Sequence, residues 1–137
     1  MTMQLNLELD PLAYTIHRLP TSTAAAVYLP LVDGQAWYSI TKTSEEISLV
    51  ISEAYPEDKP LVADHKVSAG WRCFKVVGPL DFSYVGIMAN LSGALADNKI
   101  SVFVVSTYDT DYILVKEESA LPAKKVFENS GHSVKVL

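Results

Sequence analysis

Two short segments carry the groups best suited to recognition chemistry. The first is Asp81-Phe82-Ser83-Tyr84, with Gly86 two residues on. It falls where a strand-like run, Trp71 to Val77, gives way through Gly78-Pro79 to a stretch with helical spacing. The start of a helix offers N–H groups without internal partners and the positive end of the helix dipole, so an anionic carboxylate is favoured there. The second segment is Thr107-Tyr108-Asp109-Thr110-Asp111, turn chemistry that follows a β-branched run. Asp111 sits just after that turn, beside Thr107 and Tyr108. Each residue also has a plainer reading. Asp81 or Ser83 can cap the helix, which stabilises by about 1 kcal/mol. Asp109 can simply form the turn, Asp111 and Thr107 can be hairpin hydrogen-bond partners, and Tyr108 and Tyr112 can be sheet aromatics.

Other chemistries lack their residues. The single cysteine, Cys73, forbids an internal disulfide and a multi-cysteine metal site. It stands between Arg72 and Phe74 with no sequence sign of a nearby base, so it is expected to be inert. His17, His65 and His132 show no metal-ligand spacing and are expected in surface or loop roles. There is no nucleophile elbow with Ser, His and Asp and no phosphate-cradling glycine loop. The expectation is a non-enzyme with no catalytic residues, no metal and no cofactor.

The chain has 137 residues, 49% hydrophobic and 20% charged, which suits a globular protein rather than a disordered one. Its net charge of −5 opposes nucleic acid and anionic membrane surfaces. The longest apolar run, Ala24 to Leu31, contains Pro30 and falls far short of the roughly 20 residues that a spanning helix needs. The N-terminus has neither a basic nor a continuous apolar region, so a cytoplasmic location is expected.

The elements that must hold the two segments are clearest in the second half. Phe82 to Asp97 has Val85, Met88, Leu91 and Leu95 at helical spacing. Gly93 inside it costs about 1 kcal/mol relative to alanine, which hints at close packing. Ile100–Ser106 reads as a strand, and Tyr112–Val115 as its hairpin partner. Ser119 can cap a helix with Pro122 in its first turn, Ala123, Val126 and Phe127 inward and Gly131 just past its end. Ser133–Leu137 is a last short strand. The order βαββαβ predicts a ferredoxin-like sandwich.

The first half repeats part of this. Residues 39–50 lie under residues 104–115 at an offset of 65 (104 minus 39), strand, polar turn and strand in both. Tyr14–Leu19 stands for the first strand, and Pro20 to Asp33, with two prolines, has room for at most one short helix. The expected fold is α+β: two ferredoxin-like units with antiparallel sheets covered by helices, a reduced one over 1–68 and a fuller one over 69–137, joined through Pro56 to Gly70.

Gly78-Pro79-Leu80-Asp81-Phe82, Val85-Gly86, Ile100-Ser101-Val102-Phe103 and the run from Ser106 to Val115 together resemble the tandem ACT-domain proteins. The chain is similar in this to the cytosolic arginine sensors that regulate the TOR kinase complex and to the regulatory end of aspartate kinases. The resemblance implies a non-catalytic regulatory module that binds a small ligand, usually an amino acid, and pairs as a homodimer or with a regulated protein. It carries the ligand contacts onto Asp81, Phe82, Ser83, Tyr84, Gly86, Ser101, Val102, Thr107, Tyr108 and Asp111. Asp111 would then take the ammonium, Tyr84 would face the ligand side chain, and Ser101 and Val102 would lie at the seam with a neighbouring unit. The acidic residue that the arginine sensors carry near the Tyr84 position is missing, which argues against arginine. An alternative is an ACT-like interaction or dimerisation module that has lost its ligand, as the reduced first copy suggests. An RNA-binding reading of the same strand order fails, because Ile100–Ser106 has one aromatic and no Lys or Arg.

Overall fold

A computed structural model describes residues 4–53, 61–78 and 85–137. The chain runs β1 (Asn6–Leu19), α1 (Ala25–Val32), β2 (Ser39–Lys42), β3 (Ile47–Ser52), β4 (Lys66–Val76), α2 (Ile87–Asp97), β5 (Phe103–Ser106), β6 (Asp111–Lys116), α3 (Ala120–Asn129) and β7 (Ser133–Val136). Two compact units emerge. One comprises Met1–Pro11 with Arg72–Leu137, the other Leu12–Trp71. A division at 68/69 is therefore not the division by compactness. The reason is a parallel pairing of Asn6–Leu9 with Ser133–Val136, which ties the start of β1 to the last strand.

In the discontinuous unit the strand order is β7-β1-β4-β6-β5. In a plain βαββαβ fold the last strand would lie against the first strand of its own unit, β4. Here Asn6–Leu9 stands between them. The β5–β6 hairpin is antiparallel, with Phe103 opposite Leu114 and Ser106 opposite Asp111. Alternation puts Phe74 and Val76 of β4, and Ile113 and Val115 of β6, on the face covered by α2 and α3. Ile87, Leu91 and Leu95 of α2 and Ala123 and Phe127 of α3 close that core. Phe74 and Phe127 meet edge to face, centroids 5.2 Å apart.

The helix α2 begins later than its apolar spacing predicts. Gly86 is its N-cap at φ +84°, a left-handed conformation that cannot continue a helix, and Val85 is exposed rather than inward. The cap is backbone geometry, with no side-chain hydrogen bond. The second helix keeps its expected limits: Ser119 precedes it, Pro122 sits in its first turn and Gly131 follows at φ +95°. Ser119 makes no side-chain cap bond, because a turn of 3-10 helix, Glu117–Ser119, leads into α3.

The other unit has β2 antiparallel to β3, and β3 antiparallel to Tyr14–Leu19 of β1. One short helix, α1, does fit between Pro20 and Asp33, and it tolerates Pro30 near its end. Its Tyr28 packs with Leu19, Ile47 and Leu49. Gln35 ties α1 to β3: its Nε2 donates to the Leu31 carbonyl at 2.6 Å and its Oε1 accepts from the Ser52 N–H at 3.0 Å.

The two hairpins match at an offset of 64 (107 minus 43), one less than the sequence comparison suggests. In each, a threonine clamps a four-residue loop. The Thr43 N–H donates to the Glu46 carbonyl at 2.9 Å, and the Thr107 N–H to the Thr110 carbonyl at 2.8 Å. Both threonine hydroxyls also accept from the N–H three residues on, at 3.1 and 3.3 Å. A one-residue slip would turn every side chain to the opposite face, so the turn rather than the apolar run defines the repeat.

Candidate functional site

The strongest local design lies at the β5–β6 turn. The Thr110 side chain is buried and its Oγ1 donates to the Val76 carbonyl at 2.5 Å, so the turn is fastened to the end of β4. The Thr107 Oγ1 donates to the Thr110 carbonyl at 3.0 Å, closing the loop on itself. At the start of β6 the Asp111 Oδ1 accepts from the Ser106 hydroxyl at 2.6 Å, across the last pair of the hairpin. Bonds to a carboxylate are among the stronger ones, so this pair fixes the Asp111 rotamer.

Beside the turn is a cavity of about 170 Å³ lined by Lys75, Gly78, Thr107, Asp109, Thr110 and Tyr112. Lys75 follows Phe74 and precedes Val76, both core residues, so alternation sends it to the face away from the helices. Tyr112 does the same ahead of Ile113 on β6. The cavity thus combines one cation, one carboxylate, a phenol and two hydroxyls.

Of the residues singled out from the sequence, Thr107 lines this cavity. Tyr108 and Asp111 flank it in the chain: Tyr108 is 81% exposed, and Asp111 is half-buried against Ser106. Gly86 caps α2. Ser101 and Val102 lie elsewhere, in an open groove of about 540 Å³ with Ala89, Gly93 and Ala96 on the outer side of α2. A Cβ placed on Gly93 would meet nothing within 4 Å among the described residues, so that glycine serves no close packing against them. Asp81, Phe82, Ser83 and Tyr84 lie outside the described residues. Sequence reasoning missed Lys75, Thr110 and Tyr112 and took Asp109 for a turn former. The period-two alternation around Phe74 and Ile113 was the available signal for two of them, whereas a buried Thr110 has no signature in sequence.

Two histidines expected at the surface are buried. His132 accepts from the Leu5 N–H at Nδ1, 3.0 Å, and its Nε2 lies 2.7 Å from Asn90 Oδ1, so the neutral ring bridges the residue before β1 and α2. In the other unit, Leu61 N–H donates to His65 Nδ1 at 3.0 Å, and His65 Nε2 lies 2.9 Å from His17 Nδ1. This chain of bonds makes His65 an Nε2–H tautomer that donates to His17. The rings are stacked, 5.1 Å apart. Burial lowers the pKa of all three, and for His17 the neighbouring His65 adds to the effect, bringing it to about 4. Cys73 is buried, and burial followed by the Asp10 carboxylate pushes its thiol up to about 12.

Residues 66–129 match the model of the ACT domain. The cytosolic arginine sensor for mTORC1 subunit 1 from Pongo abelii is 31% identical over 117 residues, 80% of this chain and 33% of the sensor. The match spans about a third of the length of the arginine sensors from Pongo abelii and Homo sapiens. A solved structure of a protein from Agrobacterium tumefaciens is 33% identical, with a TM-score of 0.85 over 99% of this chain and 96% of that one. The regulatory subunit of aspartate kinase from Thermus flavus shares the fold, with a TM-score of 0.69 over 93% of this chain and 99% of that one, at 9% identity.

Proposed function

Residues 66–129 match the ACT domain, and from that match we propose that the chain is an ACT-type regulatory module, not an enzyme, which binds a free amino acid at the β5–β6 turn. One observation carries the reading: the threonine-clamped turn stands beside a small polar cavity within the ACT-matched segment. A free amino acid is a zwitterion, so its receptor needs donors for the carboxylate and a charged acceptor for the ammonium. The segment Asp81–Tyr84 with Gly86 at the head of α2, and the turn with Thr107, Tyr108 and Asp111, supply those groups, with Ser101 and Val102 meeting a neighbouring unit. Both units are then ferredoxin-like, the one over Leu12–Trp71 being reduced. The module works in the cytoplasm, as a homodimer or against a regulated protein.

Thermal unfolding against a panel of the twenty common L-amino acids at millimolar concentration tests this. A ligand at about 100 times its Kd stabilises by roughly 2.7 kcal/mol, several degrees for a chain of this size. A flat panel overturns the reading.

A second reading, a pairing module without ligand, draws on the open groove over Gly93, whose small residues leave room for another backbone. Asp111→Ala separates the two: loss of ligand-linked stabilisation with the oligomer retained supports sensing, and absence of any ligand effect in either form supports pairing alone.

A further inference from the structure

The geometry points to Lys75 and Asp109 as the two charges that hold the zwitterion in the cavity beside the turn, the ligand carboxylate at Lys75 and its ammonium at Asp109. This rests on the amino-acid reading and goes beyond it, because neither residue is among those that the family resemblance supplies. Lys75 is held on a central strand between two core residues, so its backbone position is rigid. Asp109 is held by the turn, which the Thr110 hydroxyl fastens to Val76, the residue next to Lys75. The opposite charges therefore belong to one framework rather than to two loose loops.

Charge content selects the ligand class. A phosphate would meet one cation beside a carboxylate, and a simple amine would meet one carboxylate beside a cation. Either leaves one of the charges opposed. A zwitterion satisfies both. The volume, about 170 Å³, is well below that of a site for a drug-sized molecule and suits a small metabolite. Thr107, Tyr112 and the Gly78 backbone add polar groups around the two charges. Asp111 flanks the cavity rather than lining it and its Oδ1 already accepts from Ser106, so Asp109 meets the ammonium directly and Asp111 adds its charge at the same end.

The test uses Lys75→Gln and Asp109→Asn in the full chain. Binding is followed by thermal shift and calorimetry for each amino acid that stabilises the wild type, and for its methyl ester and its N-acetyl derivative. The ester lacks the carboxylate charge and the acetyl derivative lacks the ammonium. The wild type is expected to bind both derivatives about tenfold or more weakly than the parent. K75Q should bind the parent and the ester alike, and D109N the parent and the acetyl derivative alike. If K75Q and D109N retain the wild-type preferences, the assignment falls and amino-acid binding stands. If no amino acid stabilises the wild type, both fall.

Discussion

Asp111 and Ile47 hold the same place in two hairpins of one design. Each is the first residue of a second strand, set across a threonine-clamped loop from Ser106 and Lys42 respectively. One is half-buried and accepts a hydroxyl proton from its cross-strand partner; the other is fully buried in an apolar cluster. The position opposite Thr110 in this comparison, Glu46, has no buried hydroxyl to give. The polar turn is therefore built once in the chain, although its scaffold is built twice.

Exchanging those residue types should have unequal effects. Ile47→Asp places a charge in a closed core and should cost about 4 kcal/mol or more, enough to lose cooperative unfolding. Asp111→Ile should change stability by no more than about 1 kcal/mol while abolishing any amino-acid-dependent thermal shift. Urea denaturation measures the two stabilities, and melting with and without each amino acid that stabilises the wild type measures the shift.

Thr110→Val keeps the shape and removes the hydroxyl that the Val76 carbonyl accepts from. A buried acceptor left without its donor costs about 1–3 kcal/mol. Amide hydrogen exchange should quicken locally at the Thr107 N–H, whose bond closes the turn.

Acid should weaken the fold through the histidines. Their pKa values are lower folded than unfolded, so between about pH 6.5 and pH 4 the unfolded chain binds more protons. Stability is then full above the unfolded value and falls as pH drops through that window. His17 alone accounts for about 3 kcal/mol at most. Melting temperatures from pH 7.5 to 4 should show this slope, and His17→Phe should flatten it. An unchanged slope in that variant contradicts the assignment to His17.

Two glycines should answer alanine in opposite ways. Gly86 is at positive φ, so Gly86→Ala is strained by roughly 1–2 kcal/mol although no atom of the described residues obstructs the new methyl. Gly93 lies inside α2 with ordinary helical backbone, and Gly93→Ala should stabilise the single chain by about 0.5–1 kcal/mol. If the α2 groove is a pairing surface, that same variant loses association in sedimentation equilibrium; unchanged association argues against pairing through α2.

Cys73 should be silent to thiol reagents in the native state. With its pKa near 12 and its side chain buried, labelling has to await opening of β4. The labelling rate should follow the unfolding rate across a denaturant series.

Much of the fold is legible in the sequence because apolar spacing and punctuation agree there. Leu91, Leu95 and Phe127 face the core as their periods require, and Pro122 and Gly131 mark the limits of α3. The start of α2 is not legible, since Val85 continues the helical spacing while the φ of Gly86 ends the helix. The true offset of the repeat was hidden for a similar reason: apolar strands align almost equally well one residue apart, and only the hydrogen bonds of Thr43 and Thr107 choose between them. At the site, Thr107 and Asp111 were visible as turn residues. Lys75 was not, because an exposed lysine on a strand looks like any solvated charge until a cavity is found beside it.

The discontinuous unit has a consequence for synthesis. Its first strand is synthesised well before its last, so Asn6–Leu9 must wait for Ser133–Val136 while the inserted unit can already form. A fragment starting at residue 69 would lack the strand that stands between β7 and β4 and would offer two bare strand edges, a template for aggregation. The later unit thus closes only on a strand made before the inserted one.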